Sequence, residues 1–102
     1  MTLHDFKELL LTVTPNVYHL EAVKTDEYLV YHQTGVKTLR GGDSVSEQGI
    51  RVAVDFFTKN EKSEIPERLF KVLSENVFVT DYITDYEHDT KYLHHAYTCE
   101  VL

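Results

Sequence analysis

The run "IRVAVDFFTK", residues 50–59, constrains the fold more than any other stretch of the chain. Ile50, Val52, Val54 and Phe56 point to one face of an extended strand. Arg51, Ala53, Asp55 and Phe57 point to the other. Strict alternation of this kind specifies a strand with one face buried, so the remaining elements must supply a cover. A chain of 102 residues has room for one modest core. One sheet with one helical layer is the economical arrangement.

The flanking segments provide both parts. Leu3, Phe6, Leu9, Leu10 and Val13 recur at helical spacing after Thr2, which caps the helix with Asp5 three residues on. Pro15 and Asn16 stop it. "NVYHLEA" (16–22) and "EYLVYHQ" (27–33) read as strands, and the polar stretch Lys24–Asp26 reads as a hairpin connection. Residues 34–49, "TGVKTLRGGDSVSEQG", hold all four glycines and read as a long loop, locally basic at Lys37 and Arg40. This loop is expected to be mobile in the isolated subunit. After the alternating strand, Ser63 is placed to cap a second helix with Pro66 in its first turn. Its buried stripe is Ile65, Leu69, Val72 and Leu73. The tail, "NVFVTDYITDY" then "KYLHHAYTCEVL", reads as a hairpin turning at residues 87–89. The expected fold is therefore α+β, in the order α-β-β-β-α-β-β. The sheet is mostly antiparallel, with two helices packed on one face.

The tail strand carries the residues that most suggest chemistry: His94, His95, Cys99 and Glu100. Strand geometry separates them. His94 and His95 face opposite ways, His95 and Cys99 lie roughly 13 Å apart, and His94 and Glu100 roughly 20 Å apart. Zinc ligands must all lie within about 2.0–2.3 Å of the metal, so the strand alone holds no metal site. With a three-residue turn, Tyr86 faces Thr90, Ile83 faces Leu93, Val79 faces Tyr97 and Val77 faces Cys99. The same register sets Asp81 opposite His95 as a structural pair, and Asp85 opposite Lys91. Cys99 becomes a small buried hydrophobe. His94 is left facing solvent or a partner subunit.

Asp55 is the other carboxylate of interest. Acid–base catalysis needs a positioned partner, and the sequence places none. An ion pair is the simpler role, with Arg51 on the same face or with a neighbouring strand or subunit. His4, His19, His32 and His88 are scattered, and Gly41-Gly42 does not match a phosphate-binding loop. No catalytic residue, cofactor or metal is expected.

Composition narrows the class of function. The formal charge is −7, which argues against phosphate-backbone binding as the main task. Residues 75–89 carry five carboxylates and no Lys or Arg, a surface suited to a basic partner. One cysteine excludes an internal disulfide and a cysteine-based zinc cluster. No apolar run is long enough to span a membrane, so an intracellular location is expected.

The strand "IRVAVDFFTKNE", followed by "SEIPERLFKVL" and a Tyr-rich hairpin, resembles the small tail terminator proteins of siphophages and prophages, also called tail completion or minor capsid-type neck proteins. The resemblance spans most of the chain, including the opening helix, "EYLVYHQTG" and the glycine-containing loop. It implies a structural role without enzyme activity. Subunits would close into a ring, typically a hexamer, at the head-proximal end of the tail tube. The ring would stop tail polymerisation and dock the head. Implied partners are other copies of the chain, the major tail tube protein and a head-side connector, with no sequence-specific nucleic-acid binding. The chain would move from host cytoplasm into the virion. Lys37, Arg40, Asp43, Arg51 and Asp55 are the candidate assembly residues. Two other readings fit the sequence: a head-closure adaptor of the same neck, and an acidic inhibitor or immunity protein that masks a basic partner.

Overall fold

A computed structural model describes the backbone of residues 1–41 and 44–102, with side chains outside residues 37–48. The elements are α1 (Leu3–Leu11), β1 (Val17–His19), β2 (Glu27–Gly41), β3 (Ser44–Thr58), α2 (Ile65–Asn76), β4 (Phe78–Tyr86) and β5 (Leu93–Val101). The expected α+β order is observed. The strands form one sheet in the order β1-β2-β3-β5-β4.

Helix α1 starts as its sequence dictates. Asp5 N donates to Thr2 Oγ1, and Thr2 N donates to Asp5 Oδ2, each at 3.1 Å, which closes the capping box. In α2 the cap is Glu64, not Ser63, and it makes no side-chain cap bond. The Ser63 hydroxyl instead accepts from Ile65 N and donates to Glu27 Oε2 at 2.8 Å.

Both helices cover one face of the sheet. Phe6 and Leu10 of α1, Val13 just after it, and Leu69 and Leu73 of α2 are buried. They pack in one cluster with Leu29, Tyr31, Val52, Val54, Phe56, Tyr97, Cys99 and Val101. The register makes this a single surface, since Leu29 pairs with Phe56, Phe56 with His95, Tyr31 with Val54, and Val54 with Tyr97. The alternation of residues 50–57 is therefore realised in full.

Besides the α2 cap, three parts of the chain differ from the sequence expectation. β1 pairs with β2 in parallel, with Val17 beside Leu29 and His19 beside Tyr31, so residues 20–26 do not form a hairpin turn. Leu20 turns the chain at a left-handed φ of 68°, and the connection crosses the helix-free face before β2 begins.

Residues 34–41 and 44–49 belong to strands rather than to a loop. β2 and β3 pair from Glu27–Thr58 out to Gly41–Ser44. One of the glycines that suggest a loop, Gly49, serves close packing instead. Gly49 is buried, and a Cβ there would sit 2.8 Å from Leu102 Cδ2 and 3.0 Å from the Val101 carbonyl oxygen. β3 pairs with β5 only from Ile50 onward. Past that point the two strands pair only with each other among the described residues. They form an arm beyond the body, with Lys37–Gly41 extending it by roughly 16 Å.

The β4–β5 register is also shifted. Tyr86 pairs with Leu93 rather than Thr90, and Asp81 pairs with Thr98 rather than His95. The connection is longer than three residues because Tyr92 is drawn into the molecule. It is buried, and its ring meets Tyr28 and Phe57 edge-on. Lys91 takes a left-handed φ of 63° to allow this. A shift of three residues is odd, so Asp81 and His95 fall on opposite faces and the expected pair does not form. A bulge at Thr80 then returns Val79 to the helix-covered face opposite Cys99.

Candidate functional site

The helix-free face of the sheet brings polar and aromatic residues together in rows. Cα partners on adjacent strands point the same way, so the register reads directly as rows. One row is Tyr28–Phe57–His94–Asp85, the next Val30–Asp55–Ala96–Ile83, and the next His32–Ala53–Thr98–Asp81.

The first row is a stack of rings. His94 lies on Phe57 with centroids 4.4 Å apart and an interplanar angle of 13°. Phe57 lies on Tyr28 at 4.9 Å and 19°. Tyr92 closes the end of the stack, donating its hydroxyl hydrogen bond to the Thr25 carbonyl, with Lys59 Nζ 5.0 Å from its ring centroid. Such contacts add to the burial energy by about 0.5–1.5 kcal/mol per aromatic pair. They hold the connecting segment against the sheet and fix the ring of His94.

Asp55 stands in the second row, diagonal to His94. Its direct neighbour on β5 is Ala96, whose small side chain leaves room for the carboxylate to lean sideways. Asp55 Oδ1 and His94 Nε2 are 2.7 Å apart. Both side chains are about one-quarter exposed. His94 lies on the opposite face from His95 and meets Asp55 there, while about one-quarter of its side chain stays exposed. Of the ion-pair partners open to Asp55, the structure shows one on a neighbouring strand rather than Arg51. Asp55 and Arg51 lie on one strand, roughly 13 Å apart at four residues' spacing. Arg51 reaches Glu100 instead, with Nε 3.9 Å from Oε1.

The hydrogen bond to Asp55 is the main cause that raises the His94 pKa above its ordinary value. The negative charges of Asp55, Glu87 and Asp85 add to it, and partial burial opposes it. His95 behaves in the opposite way. It faces the helices, and burial lowers its pKa, helped by the charge of His94. Its Nδ1 is 2.8 Å from the Tyr82 hydroxyl, and Tyr82 stacks on Tyr97 at 4.8 Å.

A sharp expectation follows for these neighbours. In histidine-resolved NMR titrations His94 keeps its proton to a higher pH than free histidine, and His95 loses its proton at a lower pH. Titration of both at one pH would contradict the Asp55 contact. A raised folded-state pKa stabilises the fold below the unfolded value of about 6.5, and this is lost as pH rises through the folded value. His95 has the reverse sign and destabilises the fold as pH falls below about 6.5. His94→Gln should therefore make acid destabilisation steeper.

Beside the pair, residues 20–24 overhang the sheet and form an open groove of about 490 Å³. Leu20, Ala22, Tyr28, Val30 and Phe57 give it apolar walls. Lys24, His32 and Asp55 supply charge or hydrogen bonds. The arrangement suits contact with a protein surface better than enclosure of a small molecule, because the groove is shallow and open.

The remaining expected residues are dispersed. Lys37 and Arg40 lie on the outer part of β2, and their side chains are outside the described residues, as is Asp43 altogether. Arg51 and Asp55 share the helix-free face. Cys99 is fully buried on the opposite face, and burial pushes its thiol up to about 12, so it is a core hydrophobe there. Among the described residues no group of three or more His, Cys, Asp or Glu could hold a metal ion. No described helix is long and apolar enough to cross a membrane.

No family profile and no curated protein matches the chain.

Sequence reasoning missed the Asp55–His94 pair and the Tyr28–Phe57–His94 stack. The alternation already placed Asp55 and Phe57 on one face. The absent piece was the strand order, which brings β5 rather than β4 beside β3.

Proposed function

We propose that the chain is a structural assembly subunit of a phage or prophage tail. It would act by forming a ring at the head-proximal end of the tail tube, which ends tail polymerisation and presents a head-docking surface. The observation that carries this reading is the two-stranded arm. Strands β2 and β3 continue past the rest of the sheet and offer backbone hydrogen-bonding edges beyond the core. An arm of this kind adds little to the stability of its own subunit and is well placed to contact a neighbour.

Ring closure needs two different patches on each subunit, arranged head to tail. The arm is one. The carboxylate-rich tail hairpin, with Asp81, Asp85, Glu87 and Asp89, is the other candidate. The net charge of −7 also suits a conduit through which DNA must pass without sticking. The resemblance of "IRVAVDFFTKNE" and "SEIPERLFKVL" to tail terminators supports the same reading. A hexamer is the expected ring, with the tail tube protein and a head-side connector as partners, and the virion neck as the final location.

Assembly should protect the outer part of β2. Amide exchange at residues 33–41 should slow when the ring forms, while the core of β3 stays unchanged. Unchanged exchange at 33–41 in an assembled ring would remove the arm from the interface.

The acidic tail hairpin favours a second reading, an inhibitor that covers a basic partner. The two separate by mass. Titration with tail tube ends should give a closed ring, whereas an inhibitor gives a one-to-one complex with a basic protein and no self-assembly.

A further inference from the structure

We infer that the outer edge of β4 is the acceptor site for the outer edge of β2, residues 33–41, from a second copy of this chain. The inference rests on the assembly reading and names its contact.

β4 is the last strand of the sheet, and among the described residues it pairs only with β5. Natural edge strands are usually short, capped by proline or marked by lysine, because an open edge invites another strand. β4 has nine residues and neither Lys nor Pro. Its bulge is confined to Thr80, which leaves Asp81–Tyr86 regular. Both of its faces carry exposed apolar surface. Ile83 is 57% exposed on the helix-free face, and Phe78 is 62% exposed. On the helix side, Pro66, Phe70 and Tyr82 border an open apolar groove of about 420 Å³ between α2 and β4. A strand added at this edge would gain backbone hydrogen bonds and send alternate side chains into the groove and over Ile83.

Charge selects the occupant. β4 carries Asp81 and Asp85 and no positive residue. Pairing with a second β4 would gather four carboxylates along one seam, and like charges across strands are destabilising. The complementary strand must be basic or neutral. Residues 33–41, "QTGVKTLRG", carry Lys37 and Arg40 and no carboxylate. Their outer edge is unpaired beyond Tyr31 among the described residues, since β1 ends opposite it. The segment is long enough to cover the regular part of β4. Because donor and acceptor edges differ, each copy can give one and receive one, as a closed ring requires.

The test uses two full-length variants, Val36→Cys and Thr84→Cys. Both sites are exposed. Both point to the helix-covered side, since Val36 pairs with Ile50 and Thr84 with His95. Cys99 is fully buried and does not compete. The variants are mixed at near-millimolar concentration, treated with a flexible bis-maleimide and resolved by mass. The mixed dimer should exceed either homodimer by about tenfold, and Ile83→Lys on the acceptor should remove most of that excess by adding charge that opposes the basic strand. Absence of the mixed product, or predominance of Thr84→Cys homodimers, overturns the inference. A ring on tail ends that lacks the mixed product overturns this contact and leaves the assembly reading intact. A mixed product without binding to tail ends does the reverse.

Discussion

Phe56→Ala should bring the protein close to global unfolding. Phe56 is fully buried at the centre of β3, between Leu29 on β2 and His95 on β5, and its ring lies 6.2 Å from that of His95. Truncation removes a large apolar side chain and leaves a cavity beneath the helices. Such changes cost about 3–5 kcal/mol, against a total stability of about 5–15 kcal/mol for a domain. Urea unfolding followed by circular dichroism measures the loss. A change below about 1 kcal/mol would mean that the helices do not pack on this face.

Glu27→Ala should have the next largest effect, through a polar clasp. Glu27 begins β2, and its Oε2 accepts from Thr58 Oγ1 at 2.9 Å and from Ser63 Oγ at 2.8 Å. One carboxylate therefore ties the start of β2 to the end of β3 and to the entry of α2. Thr58 is only 1% exposed. Removing an acceptor from a buried donor costs about 1–3 kcal/mol, because the remaining group has lost water without a full replacement. Glu27→Gln keeps an acceptor oxygen and should lose less. Equal losses in the two variants would show that the clasp depends on charge rather than on hydrogen-bond geometry.

Much of the fold was legible because it rests on periodicity. The stripe Phe6–Leu10–Val13, the α2 stripe and the alternation of residues 50–57 all act through one face of one element. They fixed the element order and the side on which the helices lie. What could not be read depended on partners chosen over long distances. Residues 34–49 looked like a loop because glycines and polar residues dominate them, yet β2 and β3 pair out to Gly41–Ser44. The ladder supplies there what local propensity does not. The tail register turned on Tyr92, whose burial against Tyr28 and Phe57 lengthens the connection and puts Asp81 and His95 on opposite faces. The sequence showed two aspartates, two histidines and an alternating pattern. It did not show which strand would lie beside β3, and that decides that Asp55 meets His94.

The candidate surfaces follow the same division. The carboxylate-rich tail and the Lys37–Arg40 segment were visible as charge. That β4 is an edge strand, and that β2 outruns β1, became visible only with the sheet order. The proposed association by strand addition would therefore follow from the topology rather than from a motif.

The most direct measurement is the length distribution of tail tubes polymerised with and without this chain, with their ends imaged. The assembly account predicts that the chain caps one end of each tube as a ring and that elongation of capped tubes stops. Tubes that keep growing, with no chain bound at either end, would contradict it.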